Sequence, residues 1–465
     1  MIDREAVRSN AKYLRQVRPI DPDEIADYVE GRPHPAVVRR VLREEAYDLA
    51  LFERDDGTFV PASTDPVPDP EWSPERLPDR YVEALEDLLV ERHGANWHRG
   101  ESGDRLRETI RRLKADYYAQ NPVEYDDEVA LGYAIYHLPN YYAAVGYALD
   151  DLVERSLLPR RLRVLDVGAG VGGPALGLLD YLPDDTVVDY HAVEPSAAAD
   201  VLGALLSGGR RNVRTTIHRE PIETFDLDAT GPFDLVLCAN VLNELDDPVS
   251  AVERSLDALA DDGTLLALAP ADLETSTGLR HVERSVVESR DATVYAPTLR
   301  LWPDFEPSDR GWSFDERPSV EAPTVQRRLD EAGGGDGTFR NETVKFSYVH
   351  LRTDGERRLG VRATPSRHAR MADMERHVTE RIDLLAVKLS RNLADGGNPL
   401  FKVGDGSEGE ECYAVSTRES GLNRDLLTAD YGAVLRFENA LALWNDDEGA
   451  YNLVVDDEAV VDLLG

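Results

Sequence analysis

A glycine-rich loop with a carboxylate on either side is the part of the sequence best suited to hold a cofactor that contains a ribose. The loop directly follows the apolar run Val164–Val167 and opens a helix. Glycine recurs where backbone must approach a ligand closely. Glu194 ends the next strand, about 20 residues beyond the last glycine, where a carboxylate can accept hydrogen bonds from both ribose hydroxyls. The predicted cofactor-binding residues are Asp166, Gly168, Ala169, Gly170, Gly172 and Glu194.

The order of residues in this loop resembles that of the class I methyltransferases, which bind S-adenosylmethionine. Their loop reads Asp-x-Gly-x-Gly-x-Gly, whereas Gly-x-Gly-x-x-Gly is typical of NAD enzymes. The resemblance implies a Rossmann-like core with S-adenosylmethionine as its cofactor. A nicotinamide enzyme is the alternative, because dinucleotide enzymes use similar loops. The carboxylate of Glu194 would repel a 2′-phosphate on the ribose.

The residues around the loop alternate between strand and helix patterns, which predicts a parallel sheet. An insertion of roughly 270–340 follows the fifth strand, and Val344–Leu351 then resumes a strand. The five strands predicted before the insertion are Val164–Val167, Val187–Val193, Val213–Ile217, Phe233–Cys238 and Thr264–Leu268.

The residues that follow the fourth predicted strand are the candidates for contact with a methyl acceptor. They lack the Asn/Asp-Pro-Pro-aromatic tetrapeptide that holds the amine of a base, and also a Pro-Cys pair suited to covalent attack on a pyrimidine. Cys238 lies in an apolar run, so inert core packing is its simpler interpretation. We predict Asn240, Asn243 and Glu244 as catalytic residues, and helix capping is the alternative role of the two asparagines.

The acidity of the chain restricts how it could bind a partner. The formal net charge is −37, and only five of the 52 basic residues are lysine. Such a composition is typical of a halophilic cytoplasm, where salt screens the repulsion between carboxylates. Binding of nucleic acid would then depend on local arginine patches and aromatic stacking rather than on overall charge.

Cysteine content and hydropathy narrow the class of protein further. The two cysteines, Cys238 and Cys412, are too few for a disulfide framework or an all-cysteine metal site. The sequence has no run of about 18 apolar residues and no apolar stretch after its charged first residues. We therefore expect a cytoplasmic protein with no membrane segment.

Composition shifts divide the chain into six segments. The predicted fold class is α/β: a class I (Rossmann-like) methyltransferase core, N-terminal winged-helix-like and helical segments, and a C-terminal OB-like β-barrel. The N-terminal outline of helices and a hairpin is typical of modules that bind nucleic acid or protein, and a packing or dimerisation element is the alternative. The predicted boundaries are 1–62 for the winged-helix-like domain, 63–76 for a linker, 77–157 for the helical segment, 158–365 for the core, 366–385 for a connecting helix and 386–465 for the barrel.

The predicted barrel carries both kinds of side chain that bind single-stranded nucleic acid. An OB-fold stacks bases on aromatic rings of its exposed sheet face and places basic residues along the path of the backbone. Phe401 and Phe437 flank basic residues, and strand alternation makes them the predicted core members. Packed aromatics and solvated charges are the alternative. The predicted RNA-binding residues are Lys402, Tyr413, Arg418, Arg436 and Trp444.

Three motifs, in order along the chain, resemble the small-ribosomal-subunit methyltransferase-like family of mitochondrial and bacterial subunit assembly. Tyr125–Val145 resembles that family's Tyr…Ala-Tyr…Arg-x-Pro-x-Tyr-x-Ala segment. Asn240–Leu245 resembles its Val-Leu-x-Glu-Leu, and Lys345–Tyr348 resembles its Phe-Ser-Tyr strand. The resemblance covers roughly residues 105–352 and implies an archaeal, halophilic member with an added C-terminal domain.

The chain departs from that family where many members carry cysteines, which in some members hold an iron–sulfur cluster. Thr298 and Ser313 stand at the matching positions, and the insertion contains no cysteine. We therefore expect no metal cluster. The aromatic residues expected to hold the insertion instead are Trp302, Phe305, Trp312 and Phe314.

The glycine loop, the predicted barrel and the family resemblance together predict an S-adenosylmethionine-dependent methyltransferase-like protein. We expect it to act on or bind small-subunit ribosomal RNA. The expected partner is the small ribosomal subunit. A non-catalytic assembly factor that keeps the cofactor site is one alternative. A small-molecule or protein methyltransferase is another, for which the barrel would have no obvious use.

Overall fold

The computed structural model describes residues 2–302 and 312–465, so Phe305 lies outside the described residues. The chain divides into two compact units. The first comprises Met1–Ala239, Ala258–Gly263 and Ser319–Glu342. The second comprises Asn240–Asp257, Thr264–Pro318 and Thr343–Gly465.

The first unit begins with four short helices and a hairpin around the core of Val7, Ile25, Val41 and Phe59. Asp21 accepts a hydrogen bond from the backbone N–H of Asp23, which caps the second helix. The winged-helix assignment stays a prediction. The elements are α1 (Arg4–Leu14), α2 (Pro22–Tyr28), α3 (Pro35–Glu44), α4 (Ala46–Leu49), β1 (Leu51–Glu53) and β2 (Phe59–Pro61).

Three long helices follow a linker that packs on the last of them. These are α5 (Asp79–His93), α6 (Gly100–Tyr118) and α7 (Asp127–Val153). Trp72 of the linker donates a hydrogen bond from Nε1 to the Ala143 carbonyl, 2.9 Å away. A Cβ on Gly146 would lie 2.3 Å from that nitrogen, so glycine leaves room for the indole.

Four parallel strands lie after these helices, as predicted from their apolar runs. Their order along the sheet is β5-β4-β3-β6. Because all four are parallel, their carboxyl ends meet at one edge, where ligands bind in folds of this kind. The elements are β3 (Arg161–Val167), α8 (Gly173–Tyr181), β4 (Val187–Val193), α9 (Ala198–Leu206), β5 (Val213–His218), α10 (Leu227–Thr230) and β6 (Phe233–Ala239).

The second unit contains antiparallel strands built around β10. That strand pairs with β7, β8 and β9. The predicted insertion proves to hold regular structure, including a 17-residue helix with Leu279, Val282 and Val286 buried on one face. The elements that follow β6 are α11 (Pro248–Asp257), β7 (Leu259–Pro270), α12 (Leu273–Ser289), β8 (Thr293–Ala296), β9 (Asp315–Arg317), α13 (Thr324–Ala332, in the first unit) and β10 (Val344–Arg352).

The last residues of the second unit form a closed five-stranded barrel, as predicted. The strands follow the order β11-β12-β13-β15-β14, and β11 pairs with β14 to close the barrel. β13 and β15 are parallel, and a short helix precedes β14. The elements are β11 (Arg381–Lys388), β12 (Leu400–Gly404), β13 (Cys412–Ser416), α14 (Asp425–Thr428), β14 (Val434–Asn445), β15 (Ala450–Val455) and β16 (Val460–Leu463), which pairs with β14.

The predicted connecting helix over 366–385 is wrong. A 3₁₀ helix at Met371–His377 is followed by strand β11, which begins at Arg381. Ile382, Leu384 and Ala386 alternate into the barrel core, and β11 pairs with β14 along most of its length. Cross-strand pairing therefore overrides the basic, helix-like composition of this segment.

Candidate cofactor site

The glycine loop between β3 and α8 adopts a conformation that requires glycine. Gly168, Gly170 and Gly172 have φ values of 62°, 53° and 93°, in the left-handed region. A Cβ on Gly172 would lie 2.5 Å from Cδ1 of Leu202 on α9. Conformation and close packing thus both exclude larger side chains at Gly172.

Glu194 holds the loop from the end of the neighbouring strand. Its Oε2 accepts a hydrogen bond from the backbone N–H of Gly170 at 2.9 Å. Its Oε1 accepts one from the backbone N–H of Ser196, also at 2.9 Å. Because each carboxylate oxygen accepts more than one hydrogen bond, Glu194 can hold the loop and bind hydroxyl groups at the same time.

Asp166 lies beneath the loop at the end of β3 and is almost fully buried. The hydroxyl of Tyr190 on β4 donates a hydrogen bond to its Oδ2, and its buried Oδ1 has no hydrogen-bond partner among the described residues. Burial raises the pKa of the Asp166 carboxyl to about 7. Asp166 is therefore partly protonated near neutral pH.

These residues fit S-adenosylmethionine as a cofactor. Three glycines bring backbone to the edge of a parallel sheet, and a carboxylate stands at the end of the adjacent strand. This is the arrangement that binds an adenosine ribose at the end of a βαβ unit. The structure brings Asp166, Gly168, Ala169, Gly170, Gly172 and Glu194 together around one loop.

Aromatic side chains of α7 lie beside the loop. His137 stacks on Tyr141 with ring centroids 5.3 Å apart and lies 4.7 Å from the ring of Tyr133. A Cβ on Gly173, the first residue of α8, would lie 2.9 Å from Cβ of Tyr141. Burial lowers the pKa of His137 to about 3, so its imidazole is neutral. The four-residue spacing of these rings along one helix face was the signal in the sequence that could have found them.

The predicted catalytic residues follow β6 and lie in the second unit. Asn240 has a φ of 59°, a conformation that asparagine tolerates better than most residues. Asn243 and Glu244 are exposed on a 3₁₀ helix over Leu242–Glu244, which has no side-chain N-cap. Neither asparagine therefore caps this short helix, which was the alternative role predicted for them. Cys238 is buried, and desolvation raises its thiol pKa.

Hydroxyl groups surround Ser313, one of the two positions that were compared with cysteines on the sequence alone. Ser347 of β10 donates a hydrogen bond from Oγ to the Ser313 carbonyl, 2.7 Å away. The Ser313 hydroxyl lies 3.1 Å from the hydroxyl of Tyr431. Trp302 is buried and donates to Asp405 at 2.7 Å, and Trp312 donates to the Ala271 carbonyl at 3.0 Å. The absence of a metal cluster stays a prediction.

The predicted RNA-binding residues of the barrel lie beside acidic side chains. Lys402 and Tyr413 are cross-strand neighbours, and both contact Glu411. The other pairs join Arg418 to Asp457, Arg436 to Asp462, and Nε1 of Trp444 to Asp446. Phe401 and Phe437 point into the core, as their positions predicted.

Three families match parts of the chain. Residues 4–55 match "Domain of unknown function (DUF8157) N-terminal domain", and residues 372–464 match "Domain of unknown function (DUF8157) C-terminal domain". Residues 141–320, which include the glycine loop and Glu194, match "Methyltransferase domain". The chain carries a methyltransferase domain. Its cofactor is S-adenosylmethionine.

Solved structures similar to the methyltransferase domain are distant in sequence. The plantazolicin methyltransferase BpumL, solved with SAH, is 13% identical, with 58% of this chain and 98% of that chain covered and a TM-score of 0.30. A candidate RNA methyltransferase from Pyrococcus horikoshii is 14% identical, with coverages of 47% and 86% and a TM-score of 0.29. An S-adenosylmethionine-dependent methyltransferase from Clostridium acetobutylicum is 15% identical, with coverages of 30% and 54% and a TM-score of 0.24.

A comparison with curated proteins finds no match. Among the described residues, no helix combines the length and the apolarity that crossing a bilayer requires.

Proposed function

We propose that this methyltransferase domain serves small-subunit ribosomal RNA, which the protein binds or methylates during ribosome assembly. The observation that carries the proposal is the closed barrel at the end of the same chain. Its five strands, with a helix between the third and the fourth, have the outline of an OB-fold, a common platform for single-stranded nucleic acid. The three motifs that resemble the ribosomal-subunit family support small-subunit RNA as the partner.

The residues of the glycine loop and its two neighbouring carboxylates would bind S-adenosylmethionine and hold it in position. S-adenosylmethionine supplies a methyl group bound to a positively charged sulfur. Glu194 would accept hydrogen bonds from the ribose hydroxyls of the bound cofactor, and it holds the backbone N–H of Gly170 in place. Asp166, with its raised pKa, is partly protonated near neutral pH, and it accepts a hydrogen bond from the Tyr190 hydroxyl of the neighbouring strand.

Binding without methyl transfer is the second candidate, and the residues after β6 favour it. Asn240 and Asn243 carry amide groups, which can orient an amine or hydroxyl but cannot remove its proton. Glu244 is the one carboxylate among the three predicted catalytic residues, and it lies exposed on the short helix. An acceptor that needs deprotonation would therefore depend on Glu244.

Cofactor binding is tested first, by calorimetry with S-adenosylmethionine. We expect Glu194→Ala to weaken binding at least about tenfold, because it removes the ribose acceptor and the bond to Gly170. Gly170→Arg should also weaken it. Gly172→Ala should weaken it, whereas Gly203→Ala on α9, whose new Cβ meets its nearest neighbour at 3.5 Å, should not. Tighter binding of NAD than of S-adenosylmethionine would contradict the assignment.

The RNA is identified by crosslinking in cells, followed by mass spectrometry of the bound RNA with and without the gene. A methylated nucleotide that disappears with the gene, and again with Glu194→Ala, indicates catalysis. Crosslinks to small-subunit RNA with an unchanged methylation pattern indicate the binding role. Crosslinks absent from small-subunit RNA would refute the proposal.

A further inference from the structure

The accessible surface in the middle of helix α7 consists of aromatic rings. The stretch Val129–Leu149 holds no Asp, Glu, Lys or Arg, although these four types make up 30% of the chain. The structure describes every residue of this stretch, and those that are not buried all carry a ring. A continuous apolar patch on a protein surface typically marks a binding site. We call these residues the aromatic strip: Tyr133, Tyr136, His137 and Tyr141.

The rings of the strip form one row. Spacings of three and four residues place them on one face of the helix. The ring centroid of His137 lies 4.7 Å from that of Tyr133, 4.9 Å from that of Tyr136 and 5.3 Å from that of Tyr141. Tyr125, which precedes the helix, extends the row, because its ring lies 5.6 Å from that of Tyr133. His137 is therefore at the centre of a continuous aromatic surface.

Both ends of this row contact elements that hold the cofactor. At one end, a Cβ on Gly173, which follows the glycine loop, would lie 2.9 Å from Cβ of Tyr141. At the other end, the carbonyl of Tyr125 accepts a hydrogen bond at 3.3 Å from the backbone N–H of Ala197, shortly after Glu194. A molecule stacked on the strip would thus lie beside the cofactor site.

The chemistry of the strip favours a planar, uncharged ring as its ligand. A phosphate needs cationic partners, whereas the imidazole of His137 is neutral. The ammonium group of Lys114 lies 4.0 Å from the ring centroid of Tyr136, and it already donates a hydrogen bond to the Thr338 carbonyl at 2.6 Å. Aromatic faces stack on heterocyclic rings, and such stacking accepts any base.

We propose that the aromatic strip holds the planar ring of the methyl acceptor, a nucleobase, by stacking. This inference rests on the proposed function and names the chemical class that the site receives. Asn240–Leu245, the segment in which a base-stacking ring was sought, contains no aromatic residue. The strip would supply that ring from α7 instead. Tyr133 and His137 are positioning residues in this arrangement, which orient the base beside the cofactor and transfer no proton.

The test uses the full-length protein saturated with S-adenosylhomocysteine, so that the cofactor site is filled and no methyl group is transferred. Its readout is the Kd for a small-subunit ribosomal RNA transcript. We expect Tyr133→Leu/His137→Leu to raise Kd about tenfold or more, because the stacking rings are lost. Tyr133→Phe/His137→Phe keeps both rings and should stay within about twofold of wild type. Tyr13→Leu is the matched control, since Tyr13 is an exposed ring on α1, outside the strip.

Calorimetry with S-adenosylmethionine on the same variants separates the outcomes. Equal cofactor binding shows that the fold and the cofactor site are intact. A folded leucine variant that loses cofactor affinity as well would show that the strip holds the adenine of the cofactor, and the inference would be wrong. RNA binding equal to wild type would also refute it and leave the proposed function standing. Should the double leucine variant fail to fold by circular dichroism, Tyr133→Leu alone replaces it, and an unchanged Kd then refutes the inference.

If wild type binds no small-subunit RNA, the proposed function is wrong, and free nucleosides test the strip by itself. Adenosine and cytidine are titrated by calorimetry into the protein saturated with S-adenosylhomocysteine. Binding that the leucine variant loses and the phenylalanine variant keeps would support a stacking site for a free heterocycle. If neither nucleoside binds, the inference is wrong as well.

Discussion

In the folded chain, the carboxyl group of Asp166 lies in surroundings that its sequence position does not reveal. The sequence places an acid after an apolar strand, which suggested direct contact with the cofactor. The structure buries it beneath the loop and pairs it with the Tyr190 hydroxyl. The motif alone does not show whether the acid at the end of this strand contacts the cofactor or supports the loop from below, because its sequence position is the same in both cases.

The raised pKa of Asp166 predicts a specific pH dependence of stability. The carboxyl ionises near pH 4 in the unfolded chain and near 7 in the folded chain, so its contribution to stability is full below about pH 4 and is lost as pH rises towards 7. We expect wild type to lose roughly 1.4 kcal/mol per pH unit relative to Asp166→Asn within that window. Guanidinium chloride unfolding of both proteins from pH 4.5 to 7.5 measures this. A constant difference across that range would contradict the raised pKa.

At the scale of elements, each barrel strand carries both residues that pack in the core and residues exposed enough to contact RNA. Phe437 on β14 is fully buried in the barrel core, and Trp444 on the same strand is 38% exposed. The ring of Trp444 lies 4.8 Å from that of Tyr451 on the paired strand β15. A register shift between Phe437 and Ala440 breaks the alternation of β14, so Trp444 follows the buried Ala442 on the inward side but lies close to the end of the strand, where it is partly exposed.

The difference in burial between Phe437 and Trp444 predicts that their alanine substitutions lower the stability of the protein by unequal amounts. Phe437→Ala should lower the free energy of unfolding by about 3–5 kcal/mol, because it leaves a cavity in a closed core. Trp444→Ala should lower it by less than about 1 kcal/mol and should weaken RNA binding if bases stack there. Chemical unfolding gives both values. A large loss of stability from Trp444→Ala would make the ring a packing residue and remove it from the RNA-binding candidates.

Apolar strands were predictable from their own residues, whereas mixed strands were not always so. β3, β4 and β6 are short buried runs, and the mixed, partly exposed β5 was found because strands and helices alternate in this part of the chain. β11 was missed over its first five residues, because Arg381 and Asp383 interrupt the apolar positions that face the barrel core. Only pairing with β14, more than 45 residues away, shows that this segment is a strand.

At the scale of the whole molecule, the acidity and the arginines act together. Many arginines form ion pairs with nearby carboxylates, as Arg163 does with Asp48 and Asp189 at 3.0 Å. With 89 acidic and 52 basic residues, many carboxylates still lack a basic counterpart. Their mutual repulsion opposes folding unless salt screens it.

Stability should therefore rise with ionic strength. We expect the midpoint of thermal unfolding to increase steeply between about 0.1 and 3 M KCl, because a higher ion concentration shortens the Debye length. Circular dichroism at a series of salt concentrations measures the midpoint. A flat or falling midpoint would remove the halophilic interpretation, and the net charge of −37 would then count against an RNA partner.

The sequence by itself determined the glycine loop, Glu194, the parallel strands and the barrel, because each depends on spacing within a few residues or on a short apolar run. It could not determine that Tyr190 binds Asp166, that β11 closes the barrel, or that Arg40 and Arg214 meet at Glu44. The last contact joins residues 170 positions apart. Such contacts depend on how helices and strands pack, so only the tertiary structure decided them.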